Sequence, residues 1–173
     1  AVVGDARGNS LKIENVTVSG AVKGKDKVGG LVGLAGYYES SDFQLTITNC
    51  TNNASVTAVC TNNYNRAGGI VGALGGDAIF TDKTVIITNC TNNGAVTSKG
   101  ALANQSNSGA VIRAGGLIGQ TNGSGGKTFN VEGSVNNGKI TAENTATSTR
   151  LVLGENEANN IIADKFVRVS KFY

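Results

Sequence analysis

The feature that most constrains this chain is a two-part repeat that occurs four times in 173 residues. The first part aligns without gaps over residues 11–22, 45–56, 85–96 and 129–140. A glycine-rich second part follows each copy, over residues 28–33, 67–72, 114–119 and, in a weaker form, 150–154. Two blocks that recur in the same order indicate a repeat architecture, in which each unit covers the hydrophobic face of its neighbour.

Each first part opens with apolar and polar residues in alternation, which predicts a strand with one buried face. We expect one buried column from the equivalent apolar positions, Ile13, Ile47, Ile87 and Val131. An Asn-Asn-Gly or Asn-Asn-Ala segment follows in three copies. Asparagine and glycine tolerate left-handed backbone angles, so this segment predicts a sharp turn. The glycine-rich part predicts one short buried strand where backbones approach closely.

A repeat of about 40 residues with several short strands fits one coil of a β-solenoid or one blade of a propeller. The copies are spaced 34, 40 and 44 residues apart. Because a solenoid absorbs such insertions as side loops, we favour it over the propeller. The predicted fold class is therefore all-β, a β-solenoid (β-helix) of about four imperfect coils with loop insertions and a C-terminal extra strand.

The predicted organisation has three parts: an N-terminal strand or arm over residues 1–10, the four-repeat solenoid over residues 11–154, and a tail over residues 155–173. The tail has strong β-propensity and lies outside the repeats, so we expect either a cap on its own last coil or a strand donated to another copy. Its candidate assembly residues are Phe166, Val167, Val169, Phe172 and Tyr173.

Stacked coils would place equivalent residues about 4.8 Å apart in columns. One inward column is predicted from Val16, Cys50, Cys90 and Ser134. Two further columns are predicted from Asn15, Asn49 and Asn89, and from Asn53, Asn93 and Asn137, whose amides can hydrogen-bond along the stack. Parallel Cβ vectors at this spacing suit a disulfide poorly, so we expect stacked thiols at Cys50 and Cys90.

The glycine-rich parts resemble the GLUG-type repeat, named for its Gly-Leu-x-Gly core and found in large secreted and surface proteins of bacteria. Three segments carry the resemblance: Gly30-Leu31-Val32-Gly33, Gly69-Ile70-Val71-Gly72 and Gly116-Leu117-Ile118-Gly119. It spans roughly residues 11–119, and the last copy departs from it because residues 151–154 lack the Gly-Gly pair. The resemblance implies a surface location and a structural or adhesive role, and it supplies no catalytic residues.

The composition argues against several classes of chemistry. Histidine is absent, which removes the usual triad base and the commonest metal ligand. Residues 123–128 imitate the end of a phosphate-binding loop, but Thr121 stands where that motif needs glycine, and a strand rather than a helix should follow. We therefore expect no enzyme activity, no cofactor and no metal site. The net charge of +3 without a basic tract, and the lack of a long apolar run, predict neither nucleic-acid binding nor membrane insertion.

Two sets of residues are candidate binding sites. Lys27, Arg66 and Arg113 each precede a glycine-rich part, so stacking would align them in a basic column for anionic glycans or surface polymers. Tyr37, Tyr38 and Tyr64 lie in turns or insertions and could stack on sugar rings. For each set the alternative is structural: a solvated ladder held by local carboxylates, and partly buried loop covers.

Three functions follow from these observations. The first is a non-enzymatic extracellular structural or adhesive module of a cell-surface or secreted protein, with its signal peptide already removed. The second is a subunit that assembles into an extracellular filament by terminal strand exchange. The third is a glycan-binding module. The expected partners are further copies of the chain, neighbouring domains of a surface protein, or glycans.

Overall fold

The computed structural model describes residues 1–7, 10–36, 43–60, 64–75, 84–100, 111–120, 128–144, 151–155 and 165–169. Within these ranges the chain is all-β, and no residue is helical. Its strands fall into sheets whose pairs between repeats are parallel. This arrangement is consistent with the class that includes the β-helix and the β-solenoid.

The strands are, in chain order, β1 Val3–Ala6, β2 Ser10–Glu14, β3 Thr17–Val18, β4 Ala21–Gly24, β5 Lys27–Gly29, β6 Val32–Ala35, β7 Gln44–Thr48, β8 Thr51–Asn52, β9 Ser55–Cys60, β10 Tyr64–Gly68, β11 Val71–Leu74, β12 Thr84–Thr88, β13 Thr91–Asn92, β14 Val96–Gly100, β15 Val111–Gly115, β16 Thr128–Asn130, β17 Val135–Asn136, β18 Ile140–Asn144, β19 Leu151–Glu155 and β20 Lys165–Val169.

Equivalent strands of successive repeats lie side by side. Three sheets have the orders β2-β7-β12-β16, β3-β8-β13-β17 and β4-β9-β14-β18, and each takes one strand from every repeat. Leu11 is opposite Leu45, and Leu45 is opposite Val85, which is the register that the sequence alignment predicts. We call the four units the first to fourth coils.

The interior is narrow and filled by aliphatic side chains. Ile13, Ile47 and Ile87 are in register, and the last two are 0% exposed, which confirms the predicted column. Val131 is partly buried and packs against the same cluster. Burying one such side chain contributes about 1.5–3 kcal/mol. A repeated apolar column therefore accounts for much of the force that holds coil on coil.

The glycine-rich part forms two strands, and the expected single strand is wrong. In the first coil, β5 and β6 lie in different sheets and meet at a bend over Gly30 and Leu31. A Cβ at Gly29 would lie 2.5 Å from the backbone nitrogen of Gly72 in the next coil. The backbones of two successive coils are therefore in direct contact at this bend. A side chain at Gly29 would separate the two coils. We call the bends at Gly29-Gly30 and Gly68-Gly69 the glycine corner.

Left-handed backbone angles occur one turn earlier than the sequence predicts, although Gly20, the equivalent of Ala54 in the first coil, also has φ of 94° at the later turn. Asn15, Asn49 and Asn89 have φ of 56°, 53° and 53°, and Gly133 takes the same place in the fourth coil with φ of 66°. At the later turn, a side chain stabilises the bend instead. The Asn52 Oδ1 accepts a hydrogen bond from the Ala54 nitrogen at 3.1 Å, and its Nδ2 donates to the Ala54 oxygen at 2.9 Å.

The first and last described strands lie on opposite edges of the stack. The strand expected within residues 1–10 is present, since β1 pairs in parallel with β6. At the other end, β20 pairs antiparallel with β15, and β19 pairs antiparallel with β20 on its far side. The place beside β15 that the weak fourth glycine-rich part would take is thus occupied by the tail strand, within its own chain. Phe172 and Tyr173 lie outside the described residues.

Candidate functional site

A column of hydrogen-bonded asparagines lies on β8, β13 and β17, formed by the buried Asn52 and Asn92 and the partly buried Asn136. The Asn52 Nδ2 donates to the Asn92 Oδ1 at 2.7 Å, and the Asn92 Nδ2 donates to the Asn136 Oδ1 at 2.7 Å. Each amide also donates to the backbone oxygen two residues later in its own coil. We call this column the asparagine ladder; it ties coils two, three and four together through the interior.

The asparagine ladder packs directly against the glycine corner across the interior. A Cβ at Gly30 would lie 2.6 Å from the Asn52 Cγ, and one at Gly69 would lie 2.6 Å from the Asn92 Nδ2. No side chain fits in so short a gap. The two features are therefore complementary, because the glycines leave room for the amides and the amides fill that room.

The predicted column of Asn53, Asn93 and Asn137 is present, and it lies outside the core. The Asn93 Nδ2 donates to the Asn53 Oδ1, and the Asn137 Nδ2 donates to the Asn93 Oδ1, each at 2.9 Å. These side chains are exposed. Water competes for exposed amides, so this column contributes less to stability than the buried one.

The predicted thiol column is also present. Cys50 and Cys90 are buried thiols rather than a disulfide, and the Cys90 Sγ contacts the Ile47 and Thr88 oxygens at 3.4 and 3.3 Å. In the fourth coil the Ser134 hydroxyl takes the same place and donates to the Ile87 oxygen at 2.8 Å. Burial raises the pKa of Cys90 to about 11. The thiol is therefore uncharged at neutral pH and a poor nucleophile.

The basic column has the predicted register but not three accessible cations. Arg66 lies between Lys27 and Arg113 in adjacent parallel strands. It is only 4% exposed, its Nη1 contacts the Asp26 Oδ1 at 2.6 Å, and its Nε donates to the Gln120 Oε1. Lys27 contacts the other oxygen of Asp26 at 2.5 Å. The Asp26 carboxylate thus forms ion pairs with two cations, Lys27 and Arg66. Such pairing belongs to the alternative in which local carboxylates hold the column. Anion binding by the column stays a prediction.

The remaining candidates are mostly outside the described residues. Tyr37 and Tyr38 lie there, as do residues 123–127 of the imitation phosphate loop. Tyr64 begins β10, and sugar stacking by these tyrosines stays a prediction. Thr128 begins the strand β16, so a strand follows this loop, as expected, where a phosphate loop needs a helix. Among the described residues no cluster of three or more histidine, cysteine, aspartate or glutamate side chains could hold a metal ion.

A basic edge lies on the first coil. Lys23 is on β4 and Lys25 directly follows it, and both are exposed. Further along the same face, Lys99 and Glu143 are opposite each other on β14 and β18 and form an ion pair at 2.9 Å. In the described part of the chain, Lys23 and Lys25 have no such pair.

The chain matches no protein-family model, no curated protein and no solved structure. The described residues contain no helix with the length and apolar character that a membrane crossing requires. The GLUG resemblance stays a prediction on the residues that carry it.

The asparagine ladder itself is not predicted by the sequence reasoning above. That reasoning assigns the amide column to the second asparagine of each Asn-Asn pair and leaves Asn52, Asn92 and Asn136 without a role. The signal that could have found them is the strand alternation: each lies two residues after the inward position of Cys50, Cys90 or Ser134, so it points inward as well.

Proposed function

We propose that this chain is a non-enzymatic structural or adhesive module of a secreted or cell-surface protein, folded as a β-solenoid. The observation that carries the proposal is the parallel pairing of each repeat with the next, strand by strand, in the same register. An arrangement of this kind is stiff along its axis, because each coil is held by backbone hydrogen bonds and by buried side chains on both sides.

The use of polar groups supports the same proposal. The buried amides bond to each other and to backbone, and Arg66 bonds to Asp26 and Gln120. Strongly perturbed acids and bases that converge in a cleft are what an active site requires. Among the described residues the Cys90 thiol has a clearly shifted pKa, and because that pKa is raised the thiol is less reactive, which suits a structural position.

The test is a single-molecule pulling experiment on the full chain, held at its two ends. A stack of coils should open stepwise, with each released repeat adding about 140 Å of extended chain. Asn92→Ala should lower the force at which the middle coils open, whereas the exposed Asn93→Ala should leave that force unchanged. A chain that extends smoothly under load, without resistance in units of a repeat, would contradict a mechanical role.

A further inference from the structure

The outer edge of the first coil is one end of the three sheets that take a strand from every repeat, and the fourth coil forms their other end. Among the described residues, no strand pairs with the sides of β2, β3 and β4 that face away from the second coil. The free backbone N–H and C=O groups of such an edge can pair with another strand, and proteins either protect them or use them for binding. We give the name first-coil edge to the surface formed by these three strands together with Lys25.

Apolar side chains at the first-coil edge are left partly exposed. Leu11, Val16, Val18 and Val22 pack against the core but are only partly buried. Their equivalents in the second coil include Leu45, Cys50 and Val56, each 0% exposed. A neighbouring coil on each side buries these positions in the second coil, whereas the first coil has a neighbour on one side. A further strand at the first-coil edge would bury them there too.

The charge of the edge is unbalanced. Lys12 contacts Glu14 at 3.0 Å, whereas Lys23 and Lys25 have no carboxylate partner within the described ranges. The Lys99–Glu143 pair shows how a lysine on this face is neutralised by a glutamate on the adjoining strand. A strand added beside β4 could place carboxylates next to Lys23 and Lys25 in the same way.

The fourth coil of a second copy fits this edge poorly. Continuation of the stack would bring Asn136 next to Val18, since Val18, Asn52, Asn92 and Asn136 share one column. The Asn136 Nδ2 already donates one N–H to the Gly138 oxygen, valine offers no acceptor for the other, and burying an N–H without a partner is unfavourable. The same contact would bring Glu132 next to Glu14, and like charges directly opposite each other on adjacent strands are destabilising.

We propose that the first-coil edge is a docking surface for an acidic β-strand of another polypeptide, with apolar side chains facing the core and carboxylates facing Lys23 and Lys25. The inference rests on the proposed function, since a surface module works in contact with other chains. The apolar Val18 selects an apolar side chain where the other coils use asparagine. The two lysines select acidic residues two positions apart, which is the spacing along one face of a strand.

The test uses labelled peptides based on residues 129–144, the segment that forms one coil in this protein. An acidic peptide carries Glu132→Thr, Asn136→Val and Thr141→Glu, and it keeps Glu143. A basic peptide carries the first two changes with Thr141→Lys and Glu143→Lys. Binding of each peptide to the full chain is measured by fluorescence anisotropy. We expect the acidic peptide to bind about tenfold more tightly than the basic one, and its affinity to fall as salt is added.

The decisive variant of the full chain is the double change Lys23→Glu and Lys25→Glu. It should reverse the preference, so that the basic peptide binds more tightly than the acidic one. Thermal unfolding of the variant, with a transition like that of the wild type, shows that the edge is folded when the gain of binding by the basic peptide is measured. Lys139→Glu, an exposed change on the fourth coil, is the matched control and should leave both affinities unchanged.

Two results would overturn the proposal. The first is an equal or absent affinity for the acidic and basic peptides, or a preference that the double variant leaves unchanged. The second is binding of the unmodified segment as tight as that of the acidic peptide, which would make a second copy the occupant. Neither result alters the stepwise opening under force, so the docking surface and the mechanical role are tested separately.

Discussion

The asparagine ladder and the glycine corner face each other across the same narrow interior, and they hold the coils together in opposite ways. The ladder works through atoms that are present, because amides bond from coil to coil at 2.7 Å. The corner contributes by having no side chain, because a Cβ at Gly30 would lie 2.6 Å from the Asn52 Cγ and would occupy the space of that amide. The comparison teaches that the polar core of this protein depends on residues with no side chain at all.

The largest effect is expected on the glycine side. Gly69→Ala would place a Cβ 2.6 Å from the Asn92 Nδ2 and against the backbone oxygen of Gly116. Backbone in the middle of the stack cannot move away without breaking strand pairs, so we expect the variant not to fold. Gly4→Ala is the control, because nothing lies within 4 Å of the new Cβ. Circular dichroism and thermal unfolding distinguish the two; a cooperative transition near that of the wild type for Gly69→Ala would contradict the packing.

The ladder side should give a smaller but clear loss. Asn92→Ala removes the acceptor of one Asn52 N–H and the donor to the Gly94 oxygen, while the Asn136 Oδ1 keeps the Gly138 nitrogen as a donor. Each unsatisfied buried group costs about 1–3 kcal/mol, so the two groups that lose their partner should lower the free energy of unfolding by about 2–6 kcal/mol. Urea denaturation measures this loss. Asn93→Ala, in the exposed column, should cost less than about 1 kcal/mol, and equal losses for the two variants would remove the distinction between the ladders.

The thiol column predicts a pH dependence. The pKa of Cys90 is raised to about 11, above the ordinary value of 9.0, so its stabilising contribution is complete below pH 9. As the pH rises from 9 towards 11, the unfolded chain releases this proton and the folded chain retains it. The free energy of unfolding should then fall by up to about 1.4 kcal/mol per pH unit from this group.

Cys90→Ser isolates this contribution from other groups that titrate at the same pH. Serine suits the column, since Ser134 occupies the equivalent place and bonds to the Ile87 oxygen. The difference in stability between wild type and variant should therefore shrink or change sign above pH 9. A difference that stays constant from pH 8 to pH 11 would show that Cys90 does not contribute.

The smallest effect is expected at the left-handed turn before the ladder. Asn49 has φ of 53°, and a residue with a Cβ but no polar side chain is unfavourable there. Asn49→Ala should lower the free energy of unfolding by about 1 kcal/mol. Asn49→Gly should be close to neutral, because Gly133 adopts φ of 66° at the equivalent place. Thermal unfolding of the pair, measured together, gives the sign of each change.

The repeat register could be predicted from the sequence because the apolar pattern permits one alignment. A shift of one residue would turn Ile47 and Ile87 outward, so their alternation is enough to place the strands. The stacked thiols and the exposed asparagine column follow from the same alignment. The core residues and most of the parallel strand pairs can be predicted by this reasoning.

The bends at the glycine corner and the strand order at the sheet edges could not be predicted from the sequence in the same way. The bend at Gly30 depends on the approach of Asn52 from the opposite side of the coil, and alignment of one strand with its equivalents carries no information about contacts across the interior. The burial of Arg66 depends on Asp26 and Gln120, which belong to other coils. The antiparallel placement of β20 beside β15 breaks the repeat, so no property of the repeat could predict it.

The two asparagine columns run in opposite directions. In the buried column each Nδ2 donates towards the fourth coil, whereas in the exposed column each Nδ2 donates towards the second coil. An α-helix gains a larger dipole moment as it lengthens, since all its peptide units point the same way. Here the amide moments of neighbouring columns oppose each other along the axis. Further coils of this type would therefore lengthen the column pair while the axial moments of its two sets of amides continue to oppose each other.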